Sequence, residues 1–533
     1  MRHAFHILVC ALVCALVCAL VCTLAQGTPA RAQTRDALDA SLVEARRALD
    51  ALDVERAAQL LESLVATHGD DPTVLAELGQ LRLHQGRYAD AVAALTRSLA
   101  RMPAGPARDW RPATLELAQA TRGATADFLE ARSTDGRYVV RYPPGQAVLA
   151  PYALDTLRRA DEALTRELGG RTPRPLRLEI YASPMDLARV SPLTVAQIET
   201  TGTIALSKWD RLMLTSPQAL VRGYPWRDTI THELTHLLLT RATGNQAPVW
   251  LQEGVAKLLE RSWREPLASA TLDPASRDLL RTAARDGELI PFSRLHPSIA
   301  LLPSQESAAL AFAEVTSFVG RYRARLGPGS LRALGARLRA GEDARAAMAA
   351  GSGSSFAQLK AEWRASIAQA QGPEAATSPG FIPLRFRHGD AQEGDTQEVL
   401  DTEARRRVRL GDLLRDAGRA RASQVEYEAA LTAAPLDPSV AWRVARAALA
   451  AGAADRAQAL LQGMATRAPE FEPVRAWLAE AYRAQANLGA AAREARAAIG
   501  LNPFDPMPHC VLGEAGEDEA ERSREGQFCS ALR

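Results

Sequence analysis

Residues 232–236 of this chain are His-Glu-Leu-Thr-His, and a second motif, Pro-Val-Trp-Leu-Gln-Glu-Gly, follows at residues 248–254. Residues four apart lie on the same face of an α-helix, so His232 and His236 are spaced to bind one Zn²⁺ together. Glu233 then lies beside the metal, where a carboxylate deprotonates a bound water. Apolar residues on the other side of this helix predict a face that packs into a core: Ile230, Leu234, Leu237 and Leu238.

Glu253 in the second motif completes the set of ligands that a catalytic zinc requires. Such a site has three protein ligands and an open position for water. After a short turn, Pro248 suits the first position of a new helix, and Glu253 follows one turn later. The same residues are also compatible with two surface histidines on an amphipathic helix and a solvated carboxylate at 253. We predict His232, His236 and Glu253 as Zn²⁺ ligands and Glu233 as the catalytic base.

Together the two motifs resemble those of the gluzincin zinc metallopeptidases, in particular the peptidase MA-like domains of bacterial envelope proteins. The resemblance extends over about residues 126–370 and includes a hairpin at Thr203–Thr215 and the ending Phe356–Trp363. It implies hydrolysis of peptide bonds in a peptide or protein substrate, with Zn²⁺ as cofactor and the same ligands and base. It also implies that an edge strand of the hairpin pairs with the substrate backbone.

One position departs from the family pattern. The tetrahedral intermediate of peptide hydrolysis needs a hydrogen-bond donor for its oxyanion. Relatives often carry a Tyr for this role where this chain has Phe312. Either another group donates, or hydrolysis is slow or absent. Tyr224, His296 and Tyr322 are alternative donors, although each also suits a structural role. Glu314 is either a neighbour of the site or a surface charge.

The centre of the chain, residues 108–372, has the pattern of an α+β domain. Two strand-like segments, the second with alternating apolar residues, flank a helix near residues 150–168, and a hairpin follows them. The predicted strands are Arg137–Tyr142, Leu176–Tyr181, Thr203–Leu206 and Arg211–Thr215. From Trp226 to Gln371 the pattern is helical, so a small sheet precedes a helical half.

A 34-residue period marks the C-terminal part of the chain, and a similar pattern precedes the centre. Pro435, Pro469 and Pro503 recur at this spacing, as do Gly418 and Gly452. A terminal proline and small residues at helix contacts are typical of tetratricopeptide repeats, in which antiparallel helices pack closely. We predict two repeats before the centre and three after it. They either bind a protein partner or substrate, or only pack on the central domain.

The predicted fold class is mostly α with an α+β centre, a gluzincin-like zinc peptidase domain between N- and C-terminal tetratricopeptide repeats. The apolar segment Phe381–Leu384 is expected to dock on a neighbouring part of the chain. The predicted boundaries are a signal peptide at 1–32, N-terminal repeats at 33–107, the zinc peptidase domain at 108–372, a linker at 373–396, C-terminal repeats at 397–510 and a tail at 511–533.

The first 32 residues have the features of an export signal. Arg2 precedes an apolar run from Ala4 to Ala25, and Ala30-Arg31-Ala32 is a suitable cleavage site. We expect a periplasmic or extracellular protein of a bacterium. The apolar run is long enough to span a bilayer, so a retained membrane anchor is the alternative. Cys510 and Cys529 remain after cleavage and form either one disulfide or two free thiols.

The composition excludes several classes of protein. Apolar residues make up 47% and charged residues 24% of 533 residues, values unlike those of a disordered or polytopic membrane protein. Basic residues number 64 and acidic residues 62, so net charge predicts no nucleic-acid partner. Besides the exported metallopeptidase, one other function fits the sequence. It is a catalytically weak or inactive scaffold whose repeats organise partners in the cell envelope.

Overall fold

The computed structural model of the protein covers most of the chain and divides into two compact units, residues 1–119 and 120–533. The predicted signal peptide spans residues 1–32, and its residues 1–27 lie outside the residues that the structure describes. Within the described part of the chain, no helix is both long and apolar enough to cross a membrane. The residues that the structure describes are 28–102, 105, 109–170, 172, 175–267, 272–369, 380–387 and 394–533.

The first unit contains two antiparallel helix pairs. Asp71 begins the second pair because its side chain accepts hydrogen bonds from the N–H groups of Thr73 and Val74. Gly79 lies against Leu95, and a Cβ at residue 79 would be 2.5 Å from the Leu95 Cγ, so only glycine permits this close approach. The helices are α1 (Thr28–Asp50), α2 (Val54–His68), α3 (Pro72–His84), α4 (Tyr88–Arg101) and α5 (Arg111–Ala124), the last of which continues into the second unit.

A mixed sheet of five strands forms the start of the second unit. The strands are β1 (Leu129–Arg132), β2 (Tyr138–Tyr142), β3 (Leu176–Tyr181), β4 (Ala205–Lys208) and β5 (Arg211–Thr215). Their order is β1-β2-β3-β5-β4; the β2–β3 and β3–β5 pairs are parallel, and the β1–β2 and β4–β5 pairs are antiparallel. The four predicted strands are confirmed, and the predicted hairpin leaves β4 at one edge of the sheet.

Helices connect the strands and form the rest of the central region. Helix α6 (Leu149–Leu168) joins β2 to β3, and α7 (Pro184–Arg189) and α8 (Val195–Thr201) join β3 to β4. A helical half follows, as predicted, with an aromatic cluster in its core that includes Trp250, Phe292 and Phe318. Its helices are α9 (Trp226–Thr243), α10 (Val249–Leu259), α11 (Pro274–Asp286), α12 (Gln305–Leu326), α13 (Ser330–Arg339), α14 (Ala344–Ser352) and α15 (Phe356–Gln369).

The C-terminal region contains one more helix pair than the sequence predicted. Residues 511–533, which the sequence assigned to a tail, are mostly helical, and the disulfide Cys510–Cys529 joins the two helices of this extra pair. The helices are α16 (Gly394–Gln397), α17 (Thr402–Asp416), α18 (Ala420–Ala433), α19 (Pro438–Ala450), α20 (Ala454–Arg467), α21 (Glu472–Ala484), α22 (Leu488–Ile499), α23 (Pro506–Ala515) and α24 (Glu519–Leu532).

The turn inside each helix pair explains the period of the glycines. Gly86, Gly418 and Gly452 have φ values of 70°, 72° and 79°, in the left-handed region that glycine enters without steric cost. The same turn position is occupied by Leu52 and Ala486, with φ values of 55° and 59°. The 34-residue period of glycines therefore reflects a need for a left-handed backbone conformation at this turn. At two turns a residue other than glycine adopts that conformation with strain.

Of the predicted linker, the structure describes residues 380–387 and 394–396. We call residues 380–387 the docked segment, because they pair with residues 219–221 just before α9. The Val221 N–H donates to the Arg385 carbonyl at 2.9 Å, and the Arg387 N–H donates to the Ala219 carbonyl at 2.8 Å. Within Phe381–Leu384, the Leu384 N–H donates to the Gln305 Oε1 at 2.7 Å, so the predicted docking on a neighbouring part of the chain is confirmed.

Candidate metal centre

Helix α9 has the two faces that its sequence predicts. The apolar residues Ile230, Leu234, Leu237 and Leu238 are fully buried. The helix ends at Gly244, whose φ of 63° closes the last turn. The polar face lines a cleft of about 620 Å³; its residues are Thr229, His232, Glu233, His236 and Thr240.

Helix α10 brings Glu253 to this cleft. The helix begins at Val249, one residue later than predicted, with Pro248 preceding it in extended conformation. Gly254 allows α10 to pack closely on α12, since a Cβ there would be 2.7 Å from the Val315 carbonyl oxygen. This contact sets how closely α10 approaches α12. The neighbouring Glu253 side chain then faces the two histidines of α9.

Three donor atoms form a small triangle at this point. The Nε2 atoms of His232 and His236 are 3.1 Å apart. The Glu253 Oε2 is 3.4 Å from the His232 Nε2 and 3.3 Å from the His236 Nε2. The three side chains are 12%, 15% and 18% exposed, so the triangle is largely shielded but still open to the cleft.

The triangle fits a zinc ion. With tetrahedral bonds of about 2.0–2.1 Å, neighbouring ligand atoms lie about 3.3 Å apart. All three observed distances are close to that value, and two imidazoles with one carboxylate are a donor set that zinc accepts at catalytic sites. The structure thus brings together the three residues predicted as ligands.

Glu260 supports this arrangement from behind His232. Its Oε2 is 3.6 Å from the His232 Nδ1, and its Oε1 is 2.8 Å from the Lys257 Nζ. A carboxylate on Nδ1 favours the tautomer whose Nε2 is free to bind a metal. Burial lowers the pKa of His232, but hydrogen bonding to Glu253 and Glu260 outweighs burial and raises the pKa to about 10. The surroundings of the His232 imidazole therefore favour positive charge.

Glu233 lies in the same cleft with a free carboxylate oxygen. The side chain is buried, and its Oε2 accepts no hydrogen bond from the described residues. Burial raises the pKa of the Glu233 carboxyl, while the imidazoles of His236 and His232 oppose that rise. A buried carboxylate oxygen without a partner is costly unless it has a role, because it has lost its hydration.

Comparison with known families agrees with this geometry. Residues 157–369 match the family model described as Peptidase MA superfamily. Residues 157–369 form a peptidase MA superfamily domain. Residues 42–107 match the model described as Tetratricopeptide repeat. Members of the MA superfamily are typically zinc-dependent, which agrees with the His-His-Glu cluster.

Several solved structures resemble the chain, but the likeness is weak. The Cut9–Hcn1 hetero-tetramer of the APC/C matches with 11% identity and a TM-score of 0.23, over 92% of this chain and 77% of that one. The P58(IPK) TPR domain matches with 12% identity and a TM-score of 0.19, over 93% and 98% of the two chains. Yeast Tom70 matches with 10% identity and a TM-score of 0.17, over 91% and 86%. TM-scores this low do not establish a shared fold. A search of curated proteins gives no significant match.

Phe312 lies in the cleft that contains the triangle. Its ring is edge-on to the His232 ring, with centroids 6.0 Å apart. Of the alternative donors, Tyr224 lines the cleft, but its hydroxyl donates to the Thr215 carbonyl. Tyr322 is on another part of α12, and its hydroxyl faces Gly351 of α14. Neither Tyr322 nor His296 lines the cleft.

Glu314 belongs to the core and not to the site. It is buried, and its Oε1 accepts a hydrogen bond from the Ile290 N–H at 2.7 Å. Burial raises the pKa of its carboxyl to about 7. The sequence left open whether this residue was a neighbour of the site or a surface charge, and the structure supports neither.

Two other walls of the cleft come from distant parts of the chain. Residues 203–208, which include edge strand β4, line one side. Phe381, Ile382 and Leu384 of the docked segment line another, together with Glu470 from the loop between α20 and α21. Sequence reasoning did not identify Glu260, Lys257 or Glu470. For the first two a signal existed, because residues 253, 257 and 260 share one helix face.

The C-terminal repeats also hold the segment that begins α9. The Tyr224 N–H donates to the Leu501 carbonyl at 3.0 Å, and the Trp226 indole N–H donates to the Ile499 carbonyl at 3.0 Å. Gly223 has a φ of 71°, and a Cβ there would be 2.2 Å from the Leu501 carbonyl oxygen. The start of the metal-site helix is therefore packed directly on the repeats.

Proposed function

We propose that this chain is a zinc-dependent metallopeptidase that hydrolyses peptide bonds. The observation that carries the proposal is the triangle of His232, His236 and Glu253 beside the Glu233 carboxylate, in a cleft of a peptidase MA superfamily domain. The Oε2 of that carboxylate has no hydrogen-bond partner among the described residues. The three residues of the triangle hold Zn²⁺ in this proposal, and Glu233 is the catalytic base.

Each residue then has a distinct task. Zinc, when bound, supplies a Lewis acid that polarises the scissile carbonyl and acidifies water. The Glu233 carboxylate accepts a proton from the attacking water and delivers it to the amine nitrogen as the carbon–nitrogen bond breaks. Glu260 keeps the His232 ring in position through Nδ1.

The substrate binds along β4 in this proposal. The strand is at the edge of the sheet, and its residues line the cleft that contains the triangle. An extended peptide adds to such an edge through main-chain hydrogen bonds, which recognise its backbone and not its sequence. This places a peptide bond across the cleft without requiring a particular side chain.

We also propose that the protein acts after export, in the periplasm or outside a bacterial cell. The leader at residues 1–32 and the Cys510–Cys529 disulfide both support an oxidising compartment. A protein anchored by a retained leader is the alternative. The tetratricopeptide repeats are proposed to bind a protein substrate or partner, since repeat stacks present extended surfaces for that purpose.

Metal analysis and hydrolysis together test the enzyme. Purified residues 33–533 are expected to contain about one zinc per chain, and the variant His236→Ala is expected to contain none. Glu233→Gln is expected to keep the metal and to lose at least about 100-fold in hydrolysis of a peptide library. A folded wild-type protein without zinc would refute the proposal.

A scaffold function has one observation in its favour. Phe312 contacts His232 where a hydroxyl donor is expected, and phenylalanine cannot stabilise an oxyanion. If wild type and Glu233→Gln both bind zinc, cleave nothing and support the same cellular phenotype, the scaffold is the better description. Recovery of hydrolysis in Phe312→Tyr would show that the missing hydroxyl is the cause.

A further inference from the structure

A second cavity, of about 230 Å³, adjoins the metal-site cleft. Helices α10, α11 and α12 form part of its walls, and three other parts of the chain form the rest. The first is the segment before α9, with Tyr224 and Pro225; the second is the docked segment; the third is the loop 467–471 between two helices of the C-terminal repeats. A peptidase domain without the last two parts would not have this cavity.

The two cavities share several lining residues. Ala309, Phe312, Phe381 and Ile382 line both of them. Because the Phe312 ring also lies edge-on to the His232 ring, the smaller cavity is one side chain away from the metal triangle. A peptide whose backbone crosses the triangle therefore has a side chain within reach of the smaller cavity.

The chemistry of the walls selects an apolar occupant. Pro225, Phe312, Phe381, Ile382 and Phe471 give the cavity hydrophobic and aromatic surfaces. Five charged residues also line it: Arg222, Lys257, Asp273, Arg467 and Glu470. Four of them have partners in the protein. The Lys257 Nζ is 2.8 Å from Glu260, Glu470 is 3.2 Å from the Arg261 guanidinium, Arg222 pairs with Glu398, and Asp273 accepts hydrogen bonds from Ser276. Arg467 is exposed to solvent. The four paired charges need no ion from the substrate, and a charged side chain would lose its hydration without compensation.

The docked segment is a fixed wall. Besides its pairing with residues 219–221, the Leu384 N–H donates to the Gln305 Oε1 at 2.7 Å. The Gln305 Nε2 donates back to the Leu384 carbonyl at 3.1 Å. A pocket that keeps its shape when empty binds without paying an ordering cost, as substrate pockets commonly do.

We propose that this cavity is the specificity pocket of the cleft and receives one large apolar or aromatic side chain of the substrate peptide. The docked segment and the C-terminal repeats are then parts of the substrate site. The proposal rests on the proposed function, because a side chain enters the cavity only when a peptide lies across the metal triangle.

Filling the cavity tests this assignment. Ala309 of α12 is partly exposed and lines the pocket, so Ala309→Phe occupies it without replacing a core residue. The probe is an internally quenched peptide library in which one position is varied. Wild type is expected to prefer Phe or Leu over Ala at one position, and Ala309→Phe is expected to reduce that ratio of kcat/KM by about 10-fold to 100-fold. Zinc content is measured for every variant.

Two further variants protect the result from a folding artefact. Ala333→Phe adds the same ring at an exposed position of α13 and is expected to keep the wild-type ratio. Phe381→Ala removes part of the wall without adding bulk and is expected to reduce the preference as well. An unchanged ratio in both Ala309→Phe and Phe381→Ala, or a wild-type enzyme with no preference, would overturn the pocket.

A binding measurement separates this proposal from the proposed function. The Glu233→Gln protein, which keeps its zinc, is titrated with fluorescent peptides that differ only by Phe or Ala at the selected position. If the Phe peptide binds more tightly while wild type cleaves nothing, the pocket stands and the peptidase proposal fails. If wild type cleaves but neither peptide is preferred, the pocket fails and the peptidase stands. Absence of both cleavage and preference refutes both.

Discussion

The N-terminal and C-terminal repeats are built from the same kind of helix pair but belong to different compact units. The N-terminal pairs form a unit of their own around a cluster of buried leucines that includes Leu49, Leu61 and Leu81. The C-terminal pairs share a unit with the peptidase domain, hold the start of α9 and contribute Glu470 to its cleft. One motif thus forms a compact unit of its own at one end of the chain and a wall of the metal-site cleft at the other.

Deleting the C-terminal repeats and deleting the N-terminal repeats are expected to differ most in their effect on zinc content and folding. A chain that ends at residue 396 exposes Tyr224 and Trp226, which are now buried, and leaves their hydrogen bonds to Leu501 and Ile499 unmade. We expect this protein to aggregate or to lose its zinc. Deletion of residues 33–107 is expected to leave zinc content and cooperative unfolding of the rest intact. Equal losses in both deletions would contradict the division into units.

Gly223→Ala tests the contact between the segment just before α9 and the C-terminal repeats. The contact tested is the one with the Leu501 carbonyl oxygen. The new Cβ would overlap the Leu501 carbonyl oxygen, and the alanine would also have to adopt a left-handed conformation. We expect a loss of about 3 kcal/mol in the free energy of unfolding, from strain and overpacking together. Thermal or urea denaturation measures it.

Gly136→Ala is the matched control for that variant. Gly136 has a φ of 69°, similar to that of Gly223, but a Cβ at residue 136 would have no neighbouring heavy atom within 4 Å. Its replacement is expected to cost only about 1 kcal/mol, the strain alone. If the two variants lose the same stability, the contact with Leu501 contributes nothing.

The Cys510–Cys529 disulfide is expected to stabilise the C-terminal end alone. It joins α23 to α24 across a sequence separation of 19 residues. Replacing both cysteines by serine is expected to cost about 3 kcal/mol, largely because the unfolded chain regains conformational freedom. Unfolding followed by hydrogen exchange should place the loss in α23 and α24. A comparable loss of protection in α2 and α3 would contradict the prediction.

Ala486→Gly is expected to have the smallest effect, and a favourable one. Ala486 is exposed and has a φ of 59° where the preceding C-terminal pairs have glycine. Relief of the left-handed strain is expected to add about 1 kcal/mol of stability. Leu52→Gly, at the equivalent turn of the N-terminal unit, removes a buried side chain and is expected to destabilise instead. The two variants together show whether the shared turn has the same cost in both arrays.

Much of the fold followed from periodic features of the sequence. The spacing of His232 and His236 predicted helix α9 and its two faces, and the 34-residue period predicted most of the repeat helices. Strand β1 was missed because its residues are mostly exposed and show no apolar alternation. The last helix pair, α23 and α24, was missed because the connection before α24, which begins at Glu519, differs from the turn of the other pairs. A disulfide joins these two helices, so they do not need the residues that recur every 34 positions in the other pairs.

The surroundings of the metal triangle were less predictable. Local spacing indicated Glu253, because helix geometry relates residues within a few turns. The pairing of Leu220 with Phe386 and the arrival of Glu470 in the cleft join residues more than 160 positions apart. No local pattern encodes such contacts, since they depend on how whole elements pack. The apolar residues of Phe381–Leu384 indicated that this segment docks on another part of the chain, but not on which part.

The hydrogen bond from Trp226 to the carbonyl of Ile499 has an evolutionary consequence. A gene that lost the C-terminal repeats would leave the first residue of α9 without its partner, so peptidase domain and C-terminal repeats should be inherited together. The N-terminal repeats form a compact unit of their own. Lineages of this protein are therefore expected to gain or lose repeats at the N-terminal end while the number of C-terminal pairs stays fixed.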